Sequence, residues 1–181
     1  MDQHLICDTG TLLSLQIVAQ NFPFLNLKRF RFVISPQVEI ELKQFSQHQD
    51  LLGKCAQEIL QLQGNIIIKP VEGIEELKTI LGVSGRQRIT EADLSMYLLA
   101  KKERRPLFTD DFSVLIHLSA FFPEENIFHG VALIAHLLSL RLTAAEIHHY
   151  IFKQFIPQRW SKITEQRLVD IETIINEALP W

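Results

Sequence analysis

The sequence is poor in cysteine, in net charge and in long apolar runs, and each shortage removes a class of protein. Only two cysteines occur among 181 residues, Cys7 in an apolar run and Cys55 in a helical stretch. They give neither a disulfide framework nor the Cys and His spacing of a zinc site, so a reducing cytoplasm is the natural compartment. Charge is nearly balanced, with 18 Lys plus Arg against 21 Asp plus Glu, and no global positive field draws the chain toward nucleic acid. A polyanionic partner must be met by a local patch or by bound metal. The longest wholly apolar run falls far short of the roughly 20 residues of a membrane span. The opening Met-Asp-Gln-His lacks the charged start and apolar stretch of a signal peptide. A cytoplasmic protein without membrane association is expected. Internal repeats, low-complexity tracts and Gly/Ser linkers are missing as well.

What is present is apolar material, 47% of the residues, enough for the core of one α/β domain with a small appendage. Short apolar runs alternate with helical periodicity, the pattern of βαβ units. Strands are predicted at about 4–7, 30–34, 65–71, 106–109 and 126–129, with helices at about 10–20, 36–46, 50–63, 74–82, 90–103 and 112–120. The expected fold class is α/β, with a central, mostly parallel sheet of about five strands flanked by helices. Three further helices follow at about 131–140, 143–155 and 161–178, with Pro157 separating the last two. This predicts a domain over residues 1–140 and a C-terminal helical extension over 141–181, packed on the domain or on a partner. The apolar face of Ile147, Ile151, Phe152 and Phe155 favours packing on the core.

Four acidic positions stand out against this frame. Asp8 follows the first strand and Asp111 the fourth, at the carboxyl ends where open α/β sheets place their ligands. Each alone reads as an ordinary helix N-cap. Glu41 falls on the stripe of Val38, Leu42 and Phe45, whereas Glu39 lies about 200° away around the helix, beside Lys43. Asp93 falls within the face of Ile89, Met96, Tyr97 and Ala100, although a capping box with Thr90 would also account for it. Glu91 turns to the other side. Inward carboxylates repel one another and are costly to bury, unless Mg²⁺ or Mn²⁺ neutralises them through oxygen ligands. Caps explain two acids; a cation explains four. His129 is the one imidazole at a comparable strand end, so an all-oxygen site is favoured over zinc.

These motifs resemble the PIN-domain family. Leu5-Ile6-Cys7-Asp8-Thr9 resembles its first acidic motif, and Pro36-Gln37-Val38-Glu39-Ile40-Glu41-Leu42 its second. Asp93 with Ala100 resembles the third, and Leu107-Phe108-Thr109-Asp110-Asp111 the fourth, a strand ending in Thr-x-Asp. Gly130, opening an apolar helix, is similar to some bacterial and archaeal branches. The resemblance covers about residues 4–140. It implies a Mg²⁺- or Mn²⁺-dependent endoribonuclease, often the VapC-type toxin of a toxin and antitoxin pair. Asp8, Glu41, Asp93 and Asp111 would be its catalytic metal ligands.

On that footing Thr9, Thr109 and Asp110 are expected to support the ligands, with the choice between Asp110 and Asp111 as main ligand left open. Arg86 and Arg88, in the polar loop before the Asp93 helix, are the expected nucleic-acid contacts. Lys101, Lys102, Arg104 and Arg105 complement the dipole at the end of that helix. RNA as substrate, an antitoxin protein and a homo-oligomer, a dimer, are the expected partners. An aspartate-nucleophile phosphohydrolase fits less well, because the third position of Asp8-Thr9-Gly10-Thr11 is glycine rather than aspartate. The other alternative is a catalytically silent PIN-like module that binds RNA or protein.

Overall fold

Parallel strands covered on both faces must be apolar on both, and Phe32, Val33 and Ile34 are indeed all fully buried. The computed structural model describes residues 4–62, 64–82, 89–122 and 126–179. Its five strands are β1 (His4–Cys7), β2 (Arg31–Ile34), β3 (Ile66–Ile68), β4 (Leu107–Thr109) and β5 (Ile127–His129). They form one all-parallel sheet in the order β3-β2-β1-β4-β5. The α/β class and the flanking helices are as the sequence predicts. The third strand is shorter than the predicted 65–71, ending before Pro70, which has no N–H to give to a ladder.

The strand order sets the position of the site. From β1 the chain winds outward through β2 to β3, then returns to place β4 on the other side of β1. The topological switch point therefore lies between β1 and β4. In the register, Cys7 stands opposite Phe108, and Thr109 opposite His129. Asp8, one residue past Cys7, thus leaves the sheet beside Thr109 and Asp110.

The helices are α1 (Thr9–Asn21), α2 (Pro36–Phe45), α3 (Leu51–Leu60), α4 (Ile74–Leu81), α5 (Glu91–Glu103), α6 (Phe112–Phe121) and α7 (Gly130–Ser139). Those that border the switch point are started by polar caps: Asp8 for α1, Ser35 with Pro36 for α2, Thr90 for α5 and Asp111 for α6. Each cap satisfies at least one orphan backbone N–H and fixes the direction in which the following helix leaves the sheet.

The extension comprises α8 (Ala144–Tyr150), α9 (Ile156–Arg159) and α10 (Glu165–Ala178). Ile147, Ile151, Phe155, Ile171 and Ile175 are fully buried, in the same core cluster as the sheet residues, and α10 packs along α7. The extension is thus joined to the domain through one core. One local expectation is corrected. Helix does not stop ahead of Pro157 but passes through it, because Ile151–Phe155 forms a wider π turn between α8 and α9. Proline removes one helical hydrogen bond and collides with the carbonyl four residues back, and a π turn is one way to absorb both effects. The run ends at Arg159.

Candidate functional site

Asp8 accepts hydrogen bonds only, and from three directions. Oδ1 accepts from the Thr11 N–H at 2.6 Å, while Oδ2 accepts from the Thr109 hydroxyl at 2.6 Å and the Asp110 N–H at 3.0 Å. The end of β1 is thereby tied to the end of β4. Burial, and then the neighbouring Asp110 carboxylate, push the Asp8 pKa up, against the lowering effect of these hydrogen bonds.

Asp110 is also buried, and its side chain is met by the extension. Its Oδ2 accepts from the Ser14 hydroxyl and lies 3.6 Å from Arg159 Nε, while the Thr11 hydroxyl donates to Oδ1 at 3.4 Å. Arg159 Nε in turn donates to Ser14 Oγ at 2.9 Å. Burial raises the Asp110 pKa, and Arg159 is the largest influence against that rise.

The remaining acids come from helix starts and faces. Glu41 is half-buried on α2 and accepts from the Thr9 hydroxyl; burial raises its pKa, with that hydrogen bond opposing. Glu39 pairs instead with Lys43 at 2.6 Å. Asp93 serves as the capping-box partner of Thr90, accepting from its N–H at 2.7 Å and its hydroxyl at 2.8 Å, both through Oδ2. Burial still pushes it up to about 6, with Asp8 and Asp111 adding to the rise. Glu91 points away, to Lys78 at 2.6 Å. Asp111 caps α6 through Oδ1, accepting from the Ser113 N–H at 2.6 Å.

Asp8, Glu41, Asp93, Asp110 and Asp111 all line one cavity of about 590 Å³ at the switch point, with Thr9 at its wall. Thr109 acts from behind, through Asp8. Among the described residues, Glu41 Oε1, Asp93 Oδ1 and Asp111 Oδ2 have no hydrogen-bond partner. Arg86 and Arg88 lie outside the described residues.

The donor set suits a hard divalent cation: it is all oxygen, it is mutually repulsive, and three of its members each keep an oxygen uncommitted. The acids share a cavity but do not meet at a point. Among the described residues no three His, Cys, Asp or Glu side chains gather closely enough to form a ready-made metal cluster.

His129, at the end of β5, is buried beside this site. Its Nδ1 accepts from the Val131 N–H at 3.2 Å, which puts the proton of the neutral ring on Nε2. Burial, with a further contribution from Arg167, brings its pKa down to about 4, although Asp8 and Asp111 pull the other way. A histidine unfolded near pH 6.5 and native near 4 takes up its proton first in the unfolded state. Its contribution to stability is therefore complete above about pH 6.5 and is lost as pH falls toward 4. Between pH 7.5 and 5 that loss is about 2 kcal/mol. Asp93, with its raised pKa, runs in the opposite sense, so the histidine must be isolated by substitution. In His129→Asn, which keeps an acceptor for the Val131 N–H, urea unfolding at the two pH values should show a smaller loss on acidification than wild type. Equal losses would refute this account of His129.

The sequence pattern missed Ser14, Arg159 and Arg167. A signal existed for the first, since Thr11 and Ser14 are hydroxyls three residues apart amid the apolar Leu12, Leu13, Leu15 and Ile17, and both are fully buried. Arg159 and Arg167 also line the cavity. Nothing local marks them, because their position depends on how the extension docks. No protein-family model matches the chain, and no curated protein matches it.

Proposed function

We propose that the chain is a metal-dependent nuclease of the PIN type that hydrolyses phosphodiester bonds in RNA, with Asp8, Glu41, Asp93 and Asp111 holding Mg²⁺ or Mn²⁺. The observation that carries this reading is the gathering of all four acids around one cavity at the switch point of a parallel sheet. Three come with a carboxylate oxygen to spare. A bound cation would neutralise charge on the phosphodiester and make a coordinated water more acidic. Asp8, held by three donors, has a fixed orientation, and Thr109 sets it. Glu41, Asp93 and Asp111 are each anchored by one oxygen and present the other. Mg²⁺ dehydrates reluctantly and keeps several waters, so acids that border a cavity without converging suit it. The choice of RNA rests on the resemblance of the four acidic motifs.

That no ready-made metal cluster forms among the described residues favours one competing reading, a PIN-like module that binds RNA or protein without turnover. Purified protein should cleave a labelled single-stranded RNA in Mn²⁺ or Mg²⁺ and not in EDTA, and Mn²⁺ should raise its melting temperature. RNA binding with no cleavage in any divalent metal would favour the silent module. Cleavage in EDTA would sink the metal-dependent assignment.

A further inference from the structure

The acidic cavity has a basic side, and among the described residues it belongs entirely to the extension. Arg159, from the end of α9, and Arg167, from α10, both border the cavity. Arg159 is held rather than free: its side chain is 13% exposed, Nε donates to Ser14 at 2.9 Å, and Asp110 Oδ2 is 3.6 Å away. One terminal nitrogen of its guanidinium lies over the first turn of α1, 3.4 Å from where a Cβ on Gly10 would sit. Arg167 lies over the Phe112 ring, 4.2 Å from its centre, and its nearest carboxylate is Asp170 of its own helix, at 3.3 Å.

Neutralising Asp110 accounts for one arginine at most, and a buried ion pair is a poor source of stability in itself. It does not account for Arg167, which contacts none of the cavity acids. A substrate with a backbone of phosphates supplies a reason for both. A cavity of carboxylates in a chain of net charge −3 repels that backbone on either side of the scissile bond. Arginine forks match phosphate oxygens, and the Nε edge of Arg159 is the edge already used by Ser14 and Asp110.

We infer that Arg159 and Arg167 form a phosphate clamp, through which the appended helices hold the RNA strand beside the carboxylates. The inference rests on the nuclease reading above and deepens it. Asp110 then serves to position Arg159, and the extension becomes part of the substrate site.

The test is the salt dependence of RNA binding, which an arginine with a merely structural role would not alter. A short fluorescein-labelled single-stranded RNA of mixed sequence is titrated by anisotropy in Ca²⁺, with the strand checked for integrity. The proteins are wild type, Arg167→Gln, and the double variant Asp110→Asn/Arg159→Gln, which removes both members of the ion pair. Circular dichroism checks folding, and Arg167→Gln keeps the test decisive if the double variant fails to fold. Each loss of an arginine should weaken binding and reduce the slope of log affinity against log salt by about 0.7, the value for one phosphate contact on a single strand. A wild-type slope in Arg167→Gln and in the folded double variant overturns the clamp, as does wild-type protein that binds no RNA. Cleavage by wild type in Mn²⁺ is scored separately. Cleavage with unchanged slopes leaves the nuclease reading standing without the clamp. Reduced slopes without cleavage in any metal leave the clamp standing without the nuclease.

Discussion

Asp111→Asn should abolish most metal-dependent cleavage while leaving the fold intact. Asp111 caps α6 through Oδ1 alone, and asparagine is as good an N-cap as aspartate. The lost negative charge forfeits at most about 1 kcal/mol with the helix dipole. Against that, repulsion with Asp93, which Asp111 helps to raise, is relieved. Stability should stay within about 1 kcal/mol of wild type, or roughly 2–4 °C in a chain of this size. Activity should fall by at least about 100-fold, because substitution of mere partners of metal ligands already costs 10–100-fold. Asp8→Asn is a poorer test. Both Asp8 oxygens accept from backbone N–H groups, so an amide there must turn an NH₂ toward a donor and loses stability along with activity. Cleavage rates and thermal melts of the two variants side by side would separate chemistry from folding. Full activity in Asp111→Asn would remove that residue from the site.

Gly130→Ala is expected to destabilise the fold strongly. A Cβ at this position would collide with Asp110 Oδ1 and stand 2.7 Å from Thr11 Oγ1 and 3.0 Å from its methyl group. Neither neighbour can give way easily. Asp110 is held by Ser14 and Arg159, and Thr11 is buried on α1. Overpacking a core costs about 1–3 kcal/mol, and this site should reach the upper end, a drop of roughly 6–12 °C in melting temperature. The glycine is needed for close approach and not for an unusual backbone, since it opens α7 in helical conformation. Urea unfolding within about 0.5 kcal/mol of wild type would show that α7 does not approach Asp110 as closely as described.

The two substitutions mark what could and could not be read from the chain alone. The sheet was legible because β2 and its neighbours carry near-continuous apolar runs, the signature of strands buried on both faces. Helical phase distinguished Glu41 from Glu39, and the structure places Glu41 at the cavity and Glu39 against Lys43. For Asp93 the two readings proved compatible: one carboxylate oxygen caps α5, and the residue still lines the cavity. Asp110 and Asp111 were inseparable in sequence because neighbours at a strand end differ only in the direction each side chain takes. Asp111 turns to cap the helix that follows it, whereas Asp110 is turned by Ser14 and Arg159, 96 and 49 positions away in the chain, where no local pattern reaches.

Pro157 and the π turn before it have a consequence for the geometry of the cavity wall. An α-helix advances about 100° per residue, so accommodating an additional residue in a wider turn rotates everything downstream by about that angle. Without the wide turn at Ile151–Phe155, α9 would leave α8 on a different azimuth, and Arg159 would face away from Asp110. The proline that marks an ordinary helix end in the sequence acts in the fold as a compass setting. It aims one guanidinium from the same run of helix that buries Ile151, Phe155 and Ile156, so an insertion or deletion of one residue in that turn would disturb the shared core and the cavity wall together.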